Sequence, residues 1–118
     1  MIAGQRLHRV PSRFTVDHMP AATFPEDDEW IALVRAPEGL TVVREASPWQ
    51  QEDETWVGFY GDAAGPRAGL SGLVEPLTAA GIPQFVASTY HADLVLVPES
   101  RRDDAAQALT AAGHNLTG

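Results

Sequence analysis

The sequence predicts an α+β fold of two ferredoxin-like units in tandem, with antiparallel sheets and the first unit reduced. Three observations lead there. Residues 55–118 read strand, helix, strand, strand, helix, strand, the order of a split βαβ unit. The earlier hairpin can be laid over the later one without a gap, Ile31 to Val43 on Phe85 to Val97, as a weak internal repeat. The chain has 118 residues, the size of one ordinary domain. Two such units, 1–54 and 55–118, could share it as halves of one compact domain and place two four-stranded sheets side by side, although any two β-hairpins look alike at this level.

The first half is the less regular. Met1 to Val10 carries Arg6 and Arg9 with no apolar run behind them, so it does not read as a secretory signal. Arg13 to His18 alternates Phe14 and Val16 on one face, which is strand behaviour. Pro20 to Glu29 is too short and polar for more than one helical turn. Trp30–Arg35 and Leu40–Arg44 are strands joined by Ala36-Pro37-Glu38-Gly39, a turn sequence. Ser47-Pro48-Trp49 opens a polar stretch that reaches Thr55 as a loop or a single turn.

The second half is regular. Trp56 to Tyr60 is a β-type run ending at Gly61-Asp62, and Asp62 to Pro66 is a loop. Pro66 suits the first turn of a helix. Leu70, Leu73, Val74, Leu77 and Ala80 then form one apolar stripe, with Gly81 as C-cap. Pro76 lies inside this helix and removes the bond to the carbonyl of Gly72, so a kink is expected. Pro83–Ser88 is a strand, Thr89–Ala92 a break, and Asp93–Val97 a strand stopped by Pro98. Its unbroken Leu94–Val97 run predicts a central position in the sheet. Ser100 to Asp103 has the form of a capping box. Ala105, Ala108, Leu109 and Ala112 make the next stripe, Gly113 its cap, and His114 to Thr117 a short edge strand.

Composition excludes several functions. Sixteen acidic side chains oppose eight basic ones, all arginine, for a net charge of −8. Nucleic-acid and anionic-membrane binders need clustered positive charge. Cysteine is absent, which removes disulfides, thiolate metal sites and thiol nucleophiles. No uncharged run approaches the ~20 residues of a membrane span. A soluble, cytoplasmic protein is expected, and the Ala-, Gly- and Arg-rich, Lys-free composition fits a GC-rich bacterial source.

Three segments carry a resemblance. Ala80-Gly81-Ile82, Ser88-Thr89-Tyr90 and Asp93-Leu94-Val95-Leu96-Val97 resemble the ACT domain, in the branch that includes small bacterial ACT proteins and the cytosolic arginine sensors. Trp30 to Val43 is similar to that branch's first hairpin. The likeness covers most of the chain and is most specific over Thr55–Gly113. It implies tandem ACT-type units that sense a small molecule, often an amino acid, held between units. The residues it assigns to the ligand are Thr89, Tyr90 and Asp93, with Gly61, Asp62, Gly69 and Leu70 of the strand-to-helix loop. That loop departs from the family's Gly-Pro-Leu-Asp-Phe-Ser pattern, reading Gly-Asp-Ala-Ala-Gly-Pro here.

The residues themselves allow two readings of Ser88–Asp93. A hydroxyl, an aromatic face and a carboxylate this close can hold an amino acid, Asp93 pairing with a cationic group. The helix N-terminus near Pro66–Leu70 would then take the carboxylate. Alternatively, Thr89 and Asp93 simply cap the hairpin turn. The other constellations read as surface chemistry. His91 with Asp93, and Asp17 with His18, each supply only two potential metal ligands. Glu26–Glu29 and Glu52–Glu54 lack calcium-loop spacing and read as solvated runs. Gly61, Gly65 and Gly69 lack a phosphate-loop pattern, and Ser71, Gly72 and Ser88 lack a nucleophile elbow. Trp30, Trp49 and Trp56 read as core or interface anchors. The expectation is a regulatory, ligand-sensing module with no catalytic residues, no cofactor and no metal, working as a homodimer or on a protein partner. The alternative is a ferredoxin-like dimerisation module that binds no ligand.

Overall fold

Turn residues and β-formers divide the chain as the pattern predicts, with one large exception at the N-terminus. The computed structural model describes residues 6–20, 30–51, 55–61, 71–90 and 92–117. The elements are β1 (Arg6–Met19), β2 (Trp30–Ala36), β3 (Gly39–Glu45), β4 (Trp56–Gly61), α1 (Ser71–Ala79), β5 (Phe85–Ser88), β6 (Asp93–Pro98), α2 (Arg102–Ala111) and β7 (Asn115–Thr117). A 3-10 turn, Glu99–Arg101, leads into α2. The single turn expected within Pro20–Glu29, the loop from Asp62 to Pro66 and the acidic runs Glu26–Glu29 and Glu52–Glu54 lie outside the described residues, apart from Pro20.

The strands form one seven-stranded sheet in the order β2-β3-β1-β4-β6-β5, with β7 on β1. This corrects the expectation of two four-stranded sheets side by side, because β1 and β4 hydrogen-bond to each other directly. Antiparallel pairing holds throughout except for β1 with β7, which is parallel. Outward from the centre the order is β1-β3-β2 on one side and β4-β6-β5 on the other. The two hairpins that the sequence superimposes thus occupy matching places.

The exception is β1, which begins at Arg6 rather than Arg13 and runs for 14 residues. Pro11 masks it in the sequence, since proline has no N–H for a ladder. The structure accommodates Pro11 in a bulge. Arg9 pairs with Phe59 and Arg13 with Val57, so Val10, Pro11 and Ser12 face only Gly58. Gly58 has to be small. A Cβ there would lie 3.2 Å from Val10 Cγ2 and 3.1 Å from Leu96 Cδ2. The bulge also marks a change of neighbour on the other side of β1. Residues 6–8 pair with β7, whereas Phe14 to Met19 pair with β3.

One face of the sheet carries the helices. Leu73 and Leu77 of α1 and Ala105 and Leu109 of α2 pack with Leu7, Val57, Phe59, Ile82, Val95 and Val97. Each buried leucine or phenylalanine contributes about 1.5–3 kcal/mol. Ala80 and Ala112, at the ends of the expected stripes, are exposed. On the opposite face Phe14, Val43 and Leu96 form a second cluster. Ala32 of β2 and Phe85 of β5 pack on this cluster although they come from the two ends of the sheet. The sheet therefore curls on itself towards a barrel. As β6 has apolar neighbours on both faces, its uniform Leu94–Val97 run is explained.

Both helices stop at the glycines that the sequence marks. Gly81 (φ +71°) and Gly113 (φ +98°) are left-handed. Around them Gly81 N–H donates to Thr78 O and Ile82 N–H to Leu77 O, and Gly113 N–H to Thr110 O and His114 N–H to Leu109 O. Each is a Schellman cap. Pro76 leaves the Gly72 carbonyl without its helical donor, and the buried His114 supplies one, Nε2–H to Gly72 O at 2.6 Å. The capping box at Ser100 is not formed: α2 starts after Arg101 with no side-chain cap bond. Arg101 instead donates to Asp104 (3.0 Å) and to Ala80 O at the end of α1 (3.3 Å).

Gly39 (φ +142°) closes the β2–β3 turn, and a Cβ there would sit 2.5 Å from Met19 O. Gly81 has open space around it. Gly81→Ala is therefore expected to cost about 1 kcal/mol, the left-handed penalty alone. Gly39→Ala should cost at least about 2 kcal/mol, because backbone must also move. Urea unfolding of the two variants checks the order.

Candidate functional site

The later hairpin brings the central predicted residues to one end of the sheet. Tyr60 at the end of β4 lies opposite Leu94, and Ser88 lies opposite Asp93. Asp93 is 1% exposed, and its Oδ1 accepts from Ser88 Oγ at 2.8 Å. Thr89 organises the turn. Its N–H and its hydroxyl both donate to Ala92 O (2.7 and 2.9 Å), and its Oγ1 accepts from Ala92 N–H at 3.1 Å. With that hydroxyl proton committed, the Tyr60 O–H is the donor in its 3.0 Å bond to Thr89 Oγ1. Thr89 thus closes the hairpin turn, and the Ser88–Asp93 bond joins the strands on either side of it. Tyr90 is 94% exposed.

Gly61 is buried at the end of β4, opposite Leu7. Asp62, Gly69 and Leu70 lie outside the described residues, as does His91. The structure therefore brings Thr89, Asp93 and Gly61 to one end and leaves Tyr90 exposed. Tyr60 is not singled out by sequence, and Ser88 is noted within the Ser88–Asp93 segment but not among the ligand residues. The available signal was their position, each the last strand residue before a predicted break.

The Asp17-His18 pair is divided. Asp17 Oδ2 accepts from Thr15 Oγ1 at 2.8 Å, while His18 Nε2–H donates to Glu38 O at 3.1 Å, tying β1 to the β2–β3 turn. Among the described residues no three His, Asp or Glu side chains gather as metal ligands would. Trp56 packs on the second cluster, and Trp49 is exposed. No helix among the described residues is long and apolar enough to cross a membrane.

A second place, not foreseen from sequence, is a cavity of about 430 Å³ at the bulge of β1. Arg9 to Arg13 form one wall, Val57 to Phe59 of β4 another, and Glu99, Arg102 and Asp103 at the start of α2 the third. A polar network braces it. Thr55, itself buried, donates its hydroxyl to Glu99 Oε1 at 2.5 Å, and Glu99 N–H donates to Thr55 O at 2.9 Å. Arg13 Nε donates to the same Oε1 at 2.8 Å, and its Nη2 donates to Gln50 O at 2.9 Å. The Thr55 bond, with the bond and charge of Arg13 and the charge of Arg102, holds the Glu99 carboxyl below its ordinary value against the opposing effect of burial.

The chain is similar in part to known proteins. Residues 69–111, from just ahead of α1 to the end of α2, match the ACT domain family. The fold is shared with a crystal structure of an Agobacterium tumefaciens protein, at 24% identity and a TM-score of 0.75 over 97% of this chain and 92% of that one. It is also shared with a Vibrio cholerae protein of unknown function, described as a possible transport protein. The identity there is 24% and the TM-score 0.69, over 93% of this chain and 91% of that one. No curated protein matches in sequence.

The lowered Glu99 value has a defined consequence. A depressed folded-state value contributes stability at pH above the unfolded value, near 4.5, and that contribution is lost as pH falls through the folded value. Glu99→Gln should therefore destabilise the protein at pH 7 and progressively less as pH drops below about 4.5. Denaturant midpoints of both proteins across this range check it.

Proposed function

We propose that this protein is a cytoplasmic regulatory module of the ACT type, made of tandem ACT-like units at 1–54 and 55–118, that binds an amino acid between units or subunits. ACT domains are commonly regulatory and ligand-binding. The observation that carries the reading is that the family match, 69–111, spans the hairpin whose Ser88–Asp93 segment bears the expected ligand residues. The mirrored strand order, β1-β3-β2 against β4-β6-β5, supports two units. Thr89, Tyr90 and Asp93 would meet the ligand with Gly61, Asp62, Gly69 and Leu70. Asp93 would take a cationic group and the loop N–H groups the carboxylate. Regulation would follow from a difference in affinity between two states of the module, whether the output is a homodimer or a partner protein.

One observation favours a second reading, a ferredoxin-like dimerisation module that binds no ligand: Thr89 and Ala92 already satisfy each other in the turn.

A thermal-shift screen against the common amino acids separates the two. Under the first reading one of them raises the melting temperature increasingly with concentration. Tyr90→Ala, a change at an exposed ring, should leave the unliganded melting temperature in place and abolish the shift. If no amino acid moves the transition, the sensing reading is wrong, and a dimer by light scattering then supports the second.

A further inference from the structure

We propose that the cavity at the β1 bulge is a binding site for a small organic monocarboxylate, separate from the hairpin end and independent of the reading above. Three of the eight arginines of an otherwise acidic chain, Arg9, Arg13 and Arg102, line this one cavity. Arg9 and Arg13 flank the bulge of β1, and the fold brings Arg102, about ninety residues further on, to the same cavity.

The three are not equivalent. Arg13 is fixed by bonds to Glu99, Gln50 and Thr55, so it contributes charge and shape but does not swing. Arg102 reaches the second Glu99 oxygen and Asp103 only at 3.8 Å each, beyond hydrogen-bond distance. The Asp103 side chain is 93% exposed and hence well hydrated. Arg9 makes no hydrogen bond or ion pair among the described residues. Because Arg9 and Arg13 pair with Phe59 and Val57, which belong to the helix-side core, both lie on the face towards α2. Two guanidinium groups with donors to spare therefore border one cavity.

Charge selects among anions. Three guanidinium groups and two carboxylates, Glu99 and Asp103, leave one positive charge. A monoanion balances it. A dianionic phosphate would bring a surplus negative charge beside Glu99. The planar guanidinium fork matches a carboxylate with two parallel bonds. Val10, Pro11, Val57 and Phe59 supply an apolar lining for the rest of the molecule. The volume is in the range of small-molecule pockets. The same bulge provides backbone groups without a strand partner on one side, since β7 pairs only as far as His8 and β3 begins at Phe14.

The test is an amide NMR titration of the full chain with isovalerate and, at matched ionic strength, with inorganic phosphate. Isovalerate is expected to shift residues 9–13, 57–59 and 99–103 saturably. Arg9→Gln and Arg102→Gln should each weaken it by about tenfold, with spectra elsewhere unchanged, and Tyr90→Ala should bind it like the wild type. The proposal is overturned if isovalerate does not saturate, if phosphate occupies the same residues more tightly, or if both arginine variants bind as the wild type does.

Discussion

The ladder between β1 and β4 holds the two halves of the sheet together. β3 and β2 build outward from β1, and β6 and β5 build outward from β4. Separated, β1 with β3, β2 and β7 and β4 with β6 and β5 would be two small sheets, each with a newly open edge, the arrangement that invites aggregation. The ladder survives a proline because Pro11 sits in a bulge, where no donor is required and Gly58 leaves room for Val10. A bulge also strengthens local twist. Here it lies at the point where β1 leaves β7 and takes up β3 as its neighbour. The curl of the sheet brings Phe14, Val43 and Leu96 together on the face away from the helices. One irregularity thus serves pairing, curvature and the second core at once.

The helical layer is coupled to the sheet through a comparable local defect. Pro76 creates an acceptor inside α1 that a regular helix would have satisfied, and a buried acceptor left unpaired costs about 1–3 kcal/mol. His114 answers it from the residue that follows the α2 C-cap glycine. The cap of one helix therefore aims the imidazole at the break in the other. Immediately afterwards β7 joins the start of β1, where Thr117 Oγ1 and His8 Nδ1 lie 2.9 Å apart. The segment from His114 to Thr117 is in this way fastened both to α1 and to the strand on which the sheet depends.

What the sequence made legible was local. The two hairpins, the buried faces of both helices and the glycine caps follow from spacing and turn chemistry within a few residues. The failures share a cause, which is interaction across long separations. Pro11 reads as a strand breaker until Gly58 is known to face it. Ser100 reads as a helix cap, but Glu99 is held by Thr55 and Arg13, 44 and 86 residues away, and the chain enters α2 through a 3-10 turn. Arg9, Arg13 and Arg102 carry no motif, and only the fold brings Arg102 beside the two arginines of β1. The hairpin end shows the opposite limit. Thr89 and Asp93 stand out in sequence for reasons that suit a ligand and a turn equally, and in the structure Thr89 bonds to Ala92 within the turn and to Tyr60 of β4, and Asp93 to Ser88 across the hairpin.

That difference bears on what each place can do. The cavity at the bulge is already shaped and its spare donors already face it, so an anion there would bind without rearranging the fold. A ligand that favours no state over another shifts no equilibrium, however tightly it binds. The hairpin end is the reverse case. A ligand that took the Thr89 hydroxyl would displace bonds to Ala92 and Tyr60, which join the β5–β6 turn to the end of β4. Binding would then be tied to the conformation of that turn and of the end of β4. Regulation needs a ligand whose contacts differ between two shapes of the protein. On that physical ground a ligand of the kind proposed above would act as a switch at the hairpin end rather than in the open cavity.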